Sequence, residues 1–299
     1  MVISTRDRAD LAVLCVASVL EIPDPSFELL VIDQGADDSL RIALGEFERD
    51  HRLRYLATSN RGLSRGRNLG IEQARAGLIA CTDDDCRVPA DWLEQLKASL
   101  AIDNRIAAVY GNVRPMKHNR PDGFIAGCMR RAPFIAKKMR EQHRVDGMAG
   151  SMGLRKSGWR RLGGFDEMLG AGARFRSAED LDFSLRALHS GFFVCAAPGP
   201  EVTHCGFRSW SEGERLIEGY LYGIGAMSAK HLKCGNWGVL NYLAHLWLRW
   251  AYSGSIVEFG YQPSRWLRLK AFVRGFAAAL ATPVLRELSL FKGGSRLLK

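Results

Sequence analysis

Short apolar runs alternate with helix-like stretches over the first two thirds of the chain. Residues 27–32 and 78–82 have the length and composition of buried parallel strands. Residues 9–22, 68–76 and 88–102 have the composition and spacing of helices. This alternation of strand and helix predicts an α/β domain with a mostly parallel sheet.

The same pattern continues beyond residue 100, with one segment that gives no definite prediction. Residues 107–111 and 192–197 are predicted strands, and residues 179–190 are a predicted helix that opens with three acids. The glycine-rich residues 147–172 predict a strand, a short helix and a loop. Residues 112–145 are rich in Arg, Lys and Pro and are assigned to no element.

From about residue 211 the pattern becomes helical and amphipathic. Residues 236–252 have one apolar face at 3.6-residue spacing, formed by Val239, Leu240, Leu243, Leu246, Trp247 and Trp250. Residues 264–281 have another, formed by Trp266, Leu269, Phe272, Val273, Phe276 and Leu280, with Arg268, Lys270 and Arg274 opposite. Basic helices with tryptophan suit a membrane surface; packing on the domain or on a second subunit, and binding to nucleic acid, are the alternatives.

Charge divides the chain in nearly the same place. The formal net charge of the 299 residues is +10, of which residues 1–229 carry +1 and residues 230–299 carry +9, with four of the seven tryptophans. No uninterrupted apolar run reaches the roughly 18–20 residues that span a bilayer. The seven cysteines form no CxxC pair, which suits a reducing cytosol.

Polar residues follow three predicted strands that we expect to end at one edge of the sheet. Thr5 and Arg6 follow the first strand, Asp33 follows the second, and Asp83 follows the run at 78–82. In parallel sheets ligands bind beyond the carboxyl ends of the strands. Because the first strand starts at Val2, either it is very short or the native chain starts further upstream.

Three adjacent aspartates, Asp83, Asp84 and Asp85, end the predicted strand at 78–82. Their carboxylates repel one another unless a cation or protonation offsets the charge. Hard oxygen ligands of this kind suit Mg²⁺ or Mn²⁺. The alternative is a solvated turn that leads into the next helix.

A basic, glycine-containing segment at 60–68 precedes the aspartates. It contributes three guanidinium groups and a helix predicted to start near Asn68, and both features suit a diphosphate. The alternative is a basic loop that pairs with the neighbouring acids.

Two later positions are candidates for chemistry. Glu179 and Asp180 open a predicted helix, where a carboxylate can serve as a general base or simply cap the helix. His204 follows the last predicted strand and a turn-like stretch; it is a candidate for metal or substrate contact, or a structural histidine.

Taken in order, these segments resemble the family 2 glycosyltransferases, which have the GT-A fold. The resemblance covers residues 2 to about 210, and rests chiefly on NRGLSRGRNLGIEQARAGLIACTDDDC and GGFDEMLGAGARFRSAEDLDFSLRALHSG. It implies a Rossmann-like, mostly parallel sheet with flanking helices over residues 1–210. Residues 211–299 would then be a C-terminal basic, amphipathic helical extension, for which association with a membrane is the expectation.

The resemblance also implies roles for single residues. Asp180 corresponds to the base that deprotonates the acceptor hydroxyl, with Glu179 on the acceptor side. Asp85, Asp83 and His204 correspond to positions at the metal, Asp85 being the strongest candidate ligand. The positions near the donor nucleotide are Thr5, Arg6, Asp33, Arg65, Arg67, Asp83 and Asp84.

The sequence departs from the family pattern in two places. Gln34 and Gly35 replace the usual acidic and serine residues, which puts recognition of the donor nucleobase in doubt. The Gln-x-x-Arg-Trp motif of processive polymerases is absent, so transfer of a single sugar is preferred.

The resulting prediction is an inverting glycosyltransferase dependent on Mn²⁺ or Mg²⁺, with a nucleotide-sugar donor and a glycan or lipid-linked acceptor. We expect it in envelope, polysaccharide or glycolipid synthesis, on the inner face of the cell membrane, with no nucleic-acid partner. The alternatives are a nucleotidyltransferase and a catalytically silent, membrane-bound scaffold.

Overall fold

The computed structural model describes residues 1–252 and 264–293, and for 249–252 the backbone alone. Its strands are β1 Val2–Thr5, β2 Leu29–Asp33, β3 Leu53–Ala57, β4 Leu78–Asp83, β5 Cys86–Arg87, β6 Ile106–Pro115, β7 Gly123–Ile125, β8 Phe134–Ala136, β9 Met152–Arg155, β10 Phe193–His204, β11 Phe207–Ser209, β12 Val284–Leu285 and β13 Leu290–Phe291. Its α-helices are α1 Ala9–Leu20, α2 Ser39–Ala43, α3 Leu63–Gln73, α4 Trp92–Ala101, α5 Lys156–Arg161, α6 Glu179–His189, α7 Trp210–Lys233, α8 Val239–Tyr252 and α9 Arg265–Leu280. Short 3₁₀ helices lie at Gly45–Phe47 and Met139–Arg144.

A nine-stranded sheet organises the first two thirds of the described chain. Its order is β3-β2-β1-β4-β9-β6-β10-β5, with β8 also paired to β10. Strands β1 to β4 are mutually parallel where they pair, and the antiparallel β9 lies between β4 and β6. Strand β6 is parallel to β10. The predicted mostly parallel α/β sheet is confirmed.

Apolar side chains cover both faces of the sheet because neighbouring residues of a strand point in opposite directions. Ile3 and Val31 contribute to one core, and Val2 and Leu30 contribute to the other. Helices α1 and α4 pack on the first face, while α3 and α6 pack on the second. Burial on both faces explains why these strands read as continuous apolar runs.

Helix α3 begins at Leu63, so the predicted start near Asn68 is wrong. Gly62 has a φ of 125°, which ends the preceding extended segment and favours glycine. Gly66 and Gly70 look like helix breakers in the sequence, yet they let the helix lie close to β1. A Cβ at Gly66 would fall 2.0 Å from Ser4 Oγ. Tertiary packing therefore overrides the low helix propensity of glycine.

Strand β10 and the segment at 112–145 also differ from the sequence prediction. The strand continues through Pro198 to His204, where a turn was predicted, because it resumes pairing with β6 after an irregularity between Ala196 and Glu201. The unassigned segment 112–145 forms the end of β6, the strands β7 and β8 and a 3₁₀ helix.

The C-terminal helices pack on the sheet domain and on each other. Gly225 of α7 and Gly275 of α9 lie at their crossing, where a Cβ at either position would fall about 2 Å from a backbone oxygen of the other helix. The predicted apolar faces are only partly covered. Val239 and Phe272 are buried, but Leu240 and Trp266 are exposed, and the side chain of Trp250 lies outside the described residues. The same helices therefore have both buried and exposed apolar side chains.

In the part of the chain that the structure describes, no helix is both long and apolar enough to cross a membrane.

A cluster of buried charges joins α6 to α7. The Lys230 ammonium lies 2.6 Å from Asp166 and 2.7 Å from Asp182, and all three side chains are almost fully buried. Asp182 also accepts hydrogen bonds from Arg186 and faces His231 at 2.9 Å. Removing one member of such a cluster leaves an unpaired buried charge, which costs several kcal/mol.

Candidate active site

The three consecutive aspartates lie at the carboxyl end of β4 and do not point the same way. Arg8 bridges two of them, because its guanidinium donates to Asp84 at 2.7 Å and to Asp85 at 2.5 Å. The Thr5 hydroxyl donates to Asp84 at 2.6 Å. Burial, opposed by Arg8 and Thr5, raises the pKa of Asp84 to about 6.

His204 reaches Asp85 because β10 ends beside β5. His204 pairs with Cys86 across these antiparallel strands, and the Cys205 amide donates to the Asp85 carbonyl at 2.7 Å. The His204 Nε2 lies 3.2 Å from Asp85 Oδ1, and Nδ1 lies 2.7 Å from the Ala126 carbonyl oxygen. Burial lowers the pKa of His204, but the hydrogen bond and charge of Asp85 outweigh it and raise the pKa overall.

Gly206 leaves open space beside these two side chains. A Cβ at this position would lie 2.3 Å from Asp85 Oδ2 and 2.8 Å from His204 Nε2. When Nδ1 donates to the Ala126 carbonyl, the neutral ring presents a lone pair at Nε2. Asp85 and His204 therefore fit two positions of a divalent cation.

Within the described residues, no three His, Cys, Asp or Glu side chains are grouped as a complete metal site. A cation held here would need further ligands from a bound molecule, as phosphate oxygens provide for Mg²⁺. Asp83 is turned away from Asp85 toward Arg67, although it lines the same cavity.

Arg67 joins the aspartates to the start of α6. Its buried guanidinium donates to Asp83 at 2.6 Å and to Glu179 at 3.0 Å. A charge that is already paired on two sides is held in one place. Arg67 therefore fixes the sheet edge and the α6 carboxylates relative to each other.

Asp180 lies at the start of α6, after a loop with unusual backbone angles. Arg176 and Ala178 have φ of 65° and 71°, which are uncommon for residues other than glycine. Ser177 holds the loop against α7, since its hydroxyl lies 3.2 Å from the carbonyls of Gly219 and Tyr220. Contacts with α7 therefore hold this loop in its conformation.

The two α6 carboxylates have raised pKa values. Burial, followed by the charge of Asp180, raises the pKa of Glu179 to about 7. Burial also raises the pKa of Asp180, with a further contribution from Asp146, while the Leu181 amide and Arg67 oppose the rise. A raised pKa makes a carboxylate a better proton acceptor, which suits a general base.

A cavity of about 480 Å³ connects these groups. The predicted site residues that line it are Arg67, Asp83, Asp84, Asp85, Glu179, Asp180 and His204. Its other wall comes from α7, α8 and α9, and is mainly apolar. The cavity is therefore polar at the sheet edge and apolar toward the C-terminal helices.

Four predicted donor-side residues do not line this cavity. Thr5 donates its hydroxyl hydrogen bond to Asp84, and Asp33 accepts hydrogen bonds from the Gly35 amide and the Tyr55 hydroxyl. Arg6 is largely exposed. Arg65 points away from Arg67, lies 3.4 Å from Glu167 and lines a smaller basic cavity of about 260 Å³. Their donor roles stay predictions.

Several cavity residues escaped the sequence reasoning. Arg8 follows Thr5 and Arg6 closely, so its place after β1 was a usable signal. Gln142 and Asp146 belong to a stretch without a periodic pattern, and the Gln142 Oε1 is buried with no hydrogen-bond donor in the described residues. Tyr110 and Tyr220 enter from β6 and α7. Only the fold brings these side chains together.

Comparison with known proteins identifies the family. Residues 1–163, more than half of the chain, match the model of Glycosyl transferase family 2. The chain belongs to this family. The sequence-based assignment is thereby confirmed.

The curated relatives match over short segments. An uncharacterized glycosyltransferase of Rickettsia felis is 35% identical over 98 residues, which are 32% of this chain and 16% of the relative. The poly-beta-1,6-N-acetyl-D-glucosamine synthase of Staphylococcus epidermidis is 26% identical over 129 residues, 40% of this chain and 31% of the relative. The matches thus span less than a third of either relative.

Solved structures of similar fold cover more of the chain. The mannosyltransferase PcManGT from Pyrobaculum calidifontis, in complex with GDP-Man and Mn²⁺, superposes with a TM-score of 0.59 at 17% identity, over 93% of this chain and 85% of that one. TarS of S. aureus gives 0.51 at 14% identity, over 77% and 42%. The expected GT-A fold is confirmed.

Proposed function

We propose that the chain is an inverting glycosyltransferase that moves one sugar from a nucleotide-diphosphate sugar to an acceptor hydroxyl. The observation that carries this proposal is the joint placement of Asp180, Asp85 and His204 around one cavity in a family 2 fold. Neighbouring folds with bound GDP-Man and UDP support the donor class. A role in polysaccharide or glycolipid synthesis is consistent with the poly-N-acetylglucosamine synthase relative.

In the proposed step, Asp180 accepts the proton of the acceptor hydroxyl. The acceptor oxygen forms a bond to the anomeric carbon while the bond from that carbon to the diphosphate breaks. The electron pair of the broken bond leaves with the nucleoside diphosphate from the opposite face, so the configuration inverts. Arg67 holds Asp83 and Glu179 in place during this exchange.

Asp85 and His204 would hold the cation, Mn²⁺ or Mg²⁺, with Asp83 as a further candidate. A bound cation supplies electrostatic stabilisation to the charge that develops on the departing diphosphate. Arg8 keeps Asp85 in position from the other side.

A donor screen tests the proposal. Purified chain with Mn²⁺ or Mg²⁺ would be incubated with a panel of nucleotide sugars, and release of nucleoside diphosphate would be followed. We expect metal-dependent release from one donor and a loss of about 10²-fold or more in Asp85→Ala. Asp122→Ala is the matched control, because Asp122 is an exposed carboxylate outside the cavity lining.

The same screen separates the alternatives. Release of pyrophosphate from a nucleoside triphosphate would indicate a nucleotidyltransferase. Neither release nor metal-dependent nucleotide binding across the panel would indicate a silent scaffold.

We further propose that the chain is peripheral to the inner face of the cell membrane. The C-terminal region carries +9 of the net charge, and its exposed apolar side chains include Trp237 at 65% and Trp266 at 80%. Flotation with anionic phosphatidylglycerol vesicles at low salt should recover the chain, and Trp266→Ala should lower the bound fraction. Ile42→Ala, a change at an exposed residue of α2, should not; failure of the unmodified chain to float would contradict the proposal.

A further inference from the structure

The cavity has an apolar wall that the proposed sugar transfer does not use. On α7, Leu216, Ile217, Leu221 and Ile224 lie on one side of the helix, since the steps between them are one, four and three residues. Leu246 of α8 closes the same wall. The hydroxyl groups of a sugar and the oxygens of a diphosphate are polar, and a polar group buried against such a wall without a hydrogen bond is destabilised. The wall therefore suits a hydrocarbon chain.

The same wall also includes a positively charged side chain. Arg268 of α9 lines the cavity near the apolar side chains. Burial, together with the nearby charge of Arg265, lowers its pKa from a very high ordinary value, so the guanidinium stays charged at neutral pH. A guanidinium beside an apolar surface complements a ligand that joins an anionic group to a hydrocarbon chain.

The exposed surfaces of the same helices suit contact with a membrane, which would supply such a ligand. Leu248 of α8 and Trp266 of α9 are 54% and 80% exposed, and each is only two residues from a cavity-lining position, Leu246 and Arg268. The helical turns that form the apolar wall therefore also carry the surface that is proposed to contact the membrane.

We propose that the acceptor is an amphiphile whose hydrocarbon chain lies against α7 and α8, and whose anionic head group lies at Arg268. Its reacting hydroxyl would then face Asp180, which lines the polar end of the same cavity. This inference rests on the proposed function, and it selects a lipid acceptor over a free glycan.

Titration of the full chain with inorganic phosphate and with butyl, octyl and dodecyl phosphate tests the inference. Each added methylene should tighten binding about three- to fourfold until the wall is filled. Inorganic phosphate should bind far more weakly than dodecyl phosphate. Equal affinities across the series would overturn the inference and would point to a site for free phosphate.

Two variants of α8 make a matched pair. Leu246→Trp fills the wall and should remove the dependence on chain length, while Leu248→Trp makes the same change on the exposed side and should leave it intact. Ile224→Phe obstructs the wall from α7 if Leu246→Trp does not fold. Arg268→Gln should weaken binding of every alkyl phosphate by a similar factor, at least tenfold. Identical behaviour of the two tryptophan variants would refute the assignment of the wall.

Donor chemistry distinguishes failure of this inference from failure of the proposed function. Slow release of nucleoside diphosphate without an acceptor is measured on the unmodified chain beside the alkyl phosphate titration. If the unmodified chain releases nucleotide but ignores alkyl length, only the lipid acceptor is wrong. If it releases nucleotide from no donor, the glycosyltransferase proposal fails.

Discussion

Two regions meet in the cavity and contribute to it by different physical means. The sheet edge contributes charged groups that are locked in pairs, such as Arg8 with Asp85 and Arg67 with Asp83. Helices α7 to α9 contribute apolar side chains and packing. The proposed reacting groups are thus held by electrostatics, whereas the opposite wall is shaped by burial.

The two regions are nevertheless joined at the loop before Asp180. Gly223 of α7 approaches the loop so closely that a Cβ would lie 2.2 Å from Ser177 Oγ and 2.8 Å from the Phe175 carbonyl oxygen. The buried Lys230 also binds Asp182, two residues beyond Asp180. Variants on either side of this loop separate what each region contributes.

The largest effect is expected from Asp180→Asn, which removes the proposed base at the boundary between the regions. Loss of general-base catalysis typically costs about 10²–10⁴ in rate. Donor binding should change little, because Asp180 is proposed to act on the acceptor. Steady-state turnover and nucleotide affinity would be measured together, and near-normal turnover would exclude Asp180 from the mechanism.

Lys230→Met should cost about 3–5 kcal/mol of unfolding free energy, because it leaves Asp166 and Asp182 buried without their cation. Lys270→Met on the exposed face of α9 should change stability by no more than about 0.5 kcal/mol. Denaturant unfolding measures both. Equal stability of the two variants would show that the helices are not anchored through this cluster.

Gly223→Ala should destabilise the fold by about 1–3 kcal/mol and lower turnover, because the added methyl group pushes α7 away from the loop. Gly219→Ala is the matched control, since a Cβ there has its nearest contact at 3.8 Å, with the Arg176 side chain. That control should stabilise by about 0.5–1 kcal/mol, as alanine does in helices. Unchanged turnover in Gly223→Ala would mean that α7 does not position the base.

The smallest effect concerns pH. The pKa of Asp180 is raised, so turnover should fall as pH drops through a value above the ordinary pKa of an aspartate and reach a plateau at higher pH. Asp146→Asn removes a neighbouring negative charge, so the falling limb should move to lower pH by a few tenths of a unit. The charged and titratable groups that interact with Asp180 are Arg67, Tyr110, Asp146, Glu179 and Tyr220.

Turnover of the unmodified chain and of Asp146→Asn would be measured as a function of pH. A limb that moves upward in Asp146→Asn would contradict the electrostatic account. An identical profile would show that Asp146 does not act on the base.

Local pattern predicted the sheet region well. The runs that became β2 and β4 are buried on both faces, so composition alone distinguished them. The prediction was less accurate where packing decides the conformation. The helix predicted to start near Asn68 begins at Leu63, and the glycines at 66 and 70 permit its close approach to β1.

The candidate site was predictable in part. Asp83 to Asp85, Glu179 and Asp180 could be found because they follow strands or open a helix in a familiar order. Gln142 and Tyr220 could not, since they reach the cavity from segments that have no motif and lie far from the aspartates in the sequence. The same holds for the apolar wall, whose residues look like ordinary amphipathic helix positions.

The loop before Asp180 bears on how far this protein is modular. Positive φ at Arg176 and Ala178 costs on the order of 1–3 kcal/mol per residue, and the contacts that offset this cost come from α7. A chain cut before Trp210 would keep the nine-stranded sheet and the aspartates, yet we expect Asp180, the proposed base, to relax out of place. The unit that can be transplanted between proteins is therefore larger than the unit that the sequence motif delimits.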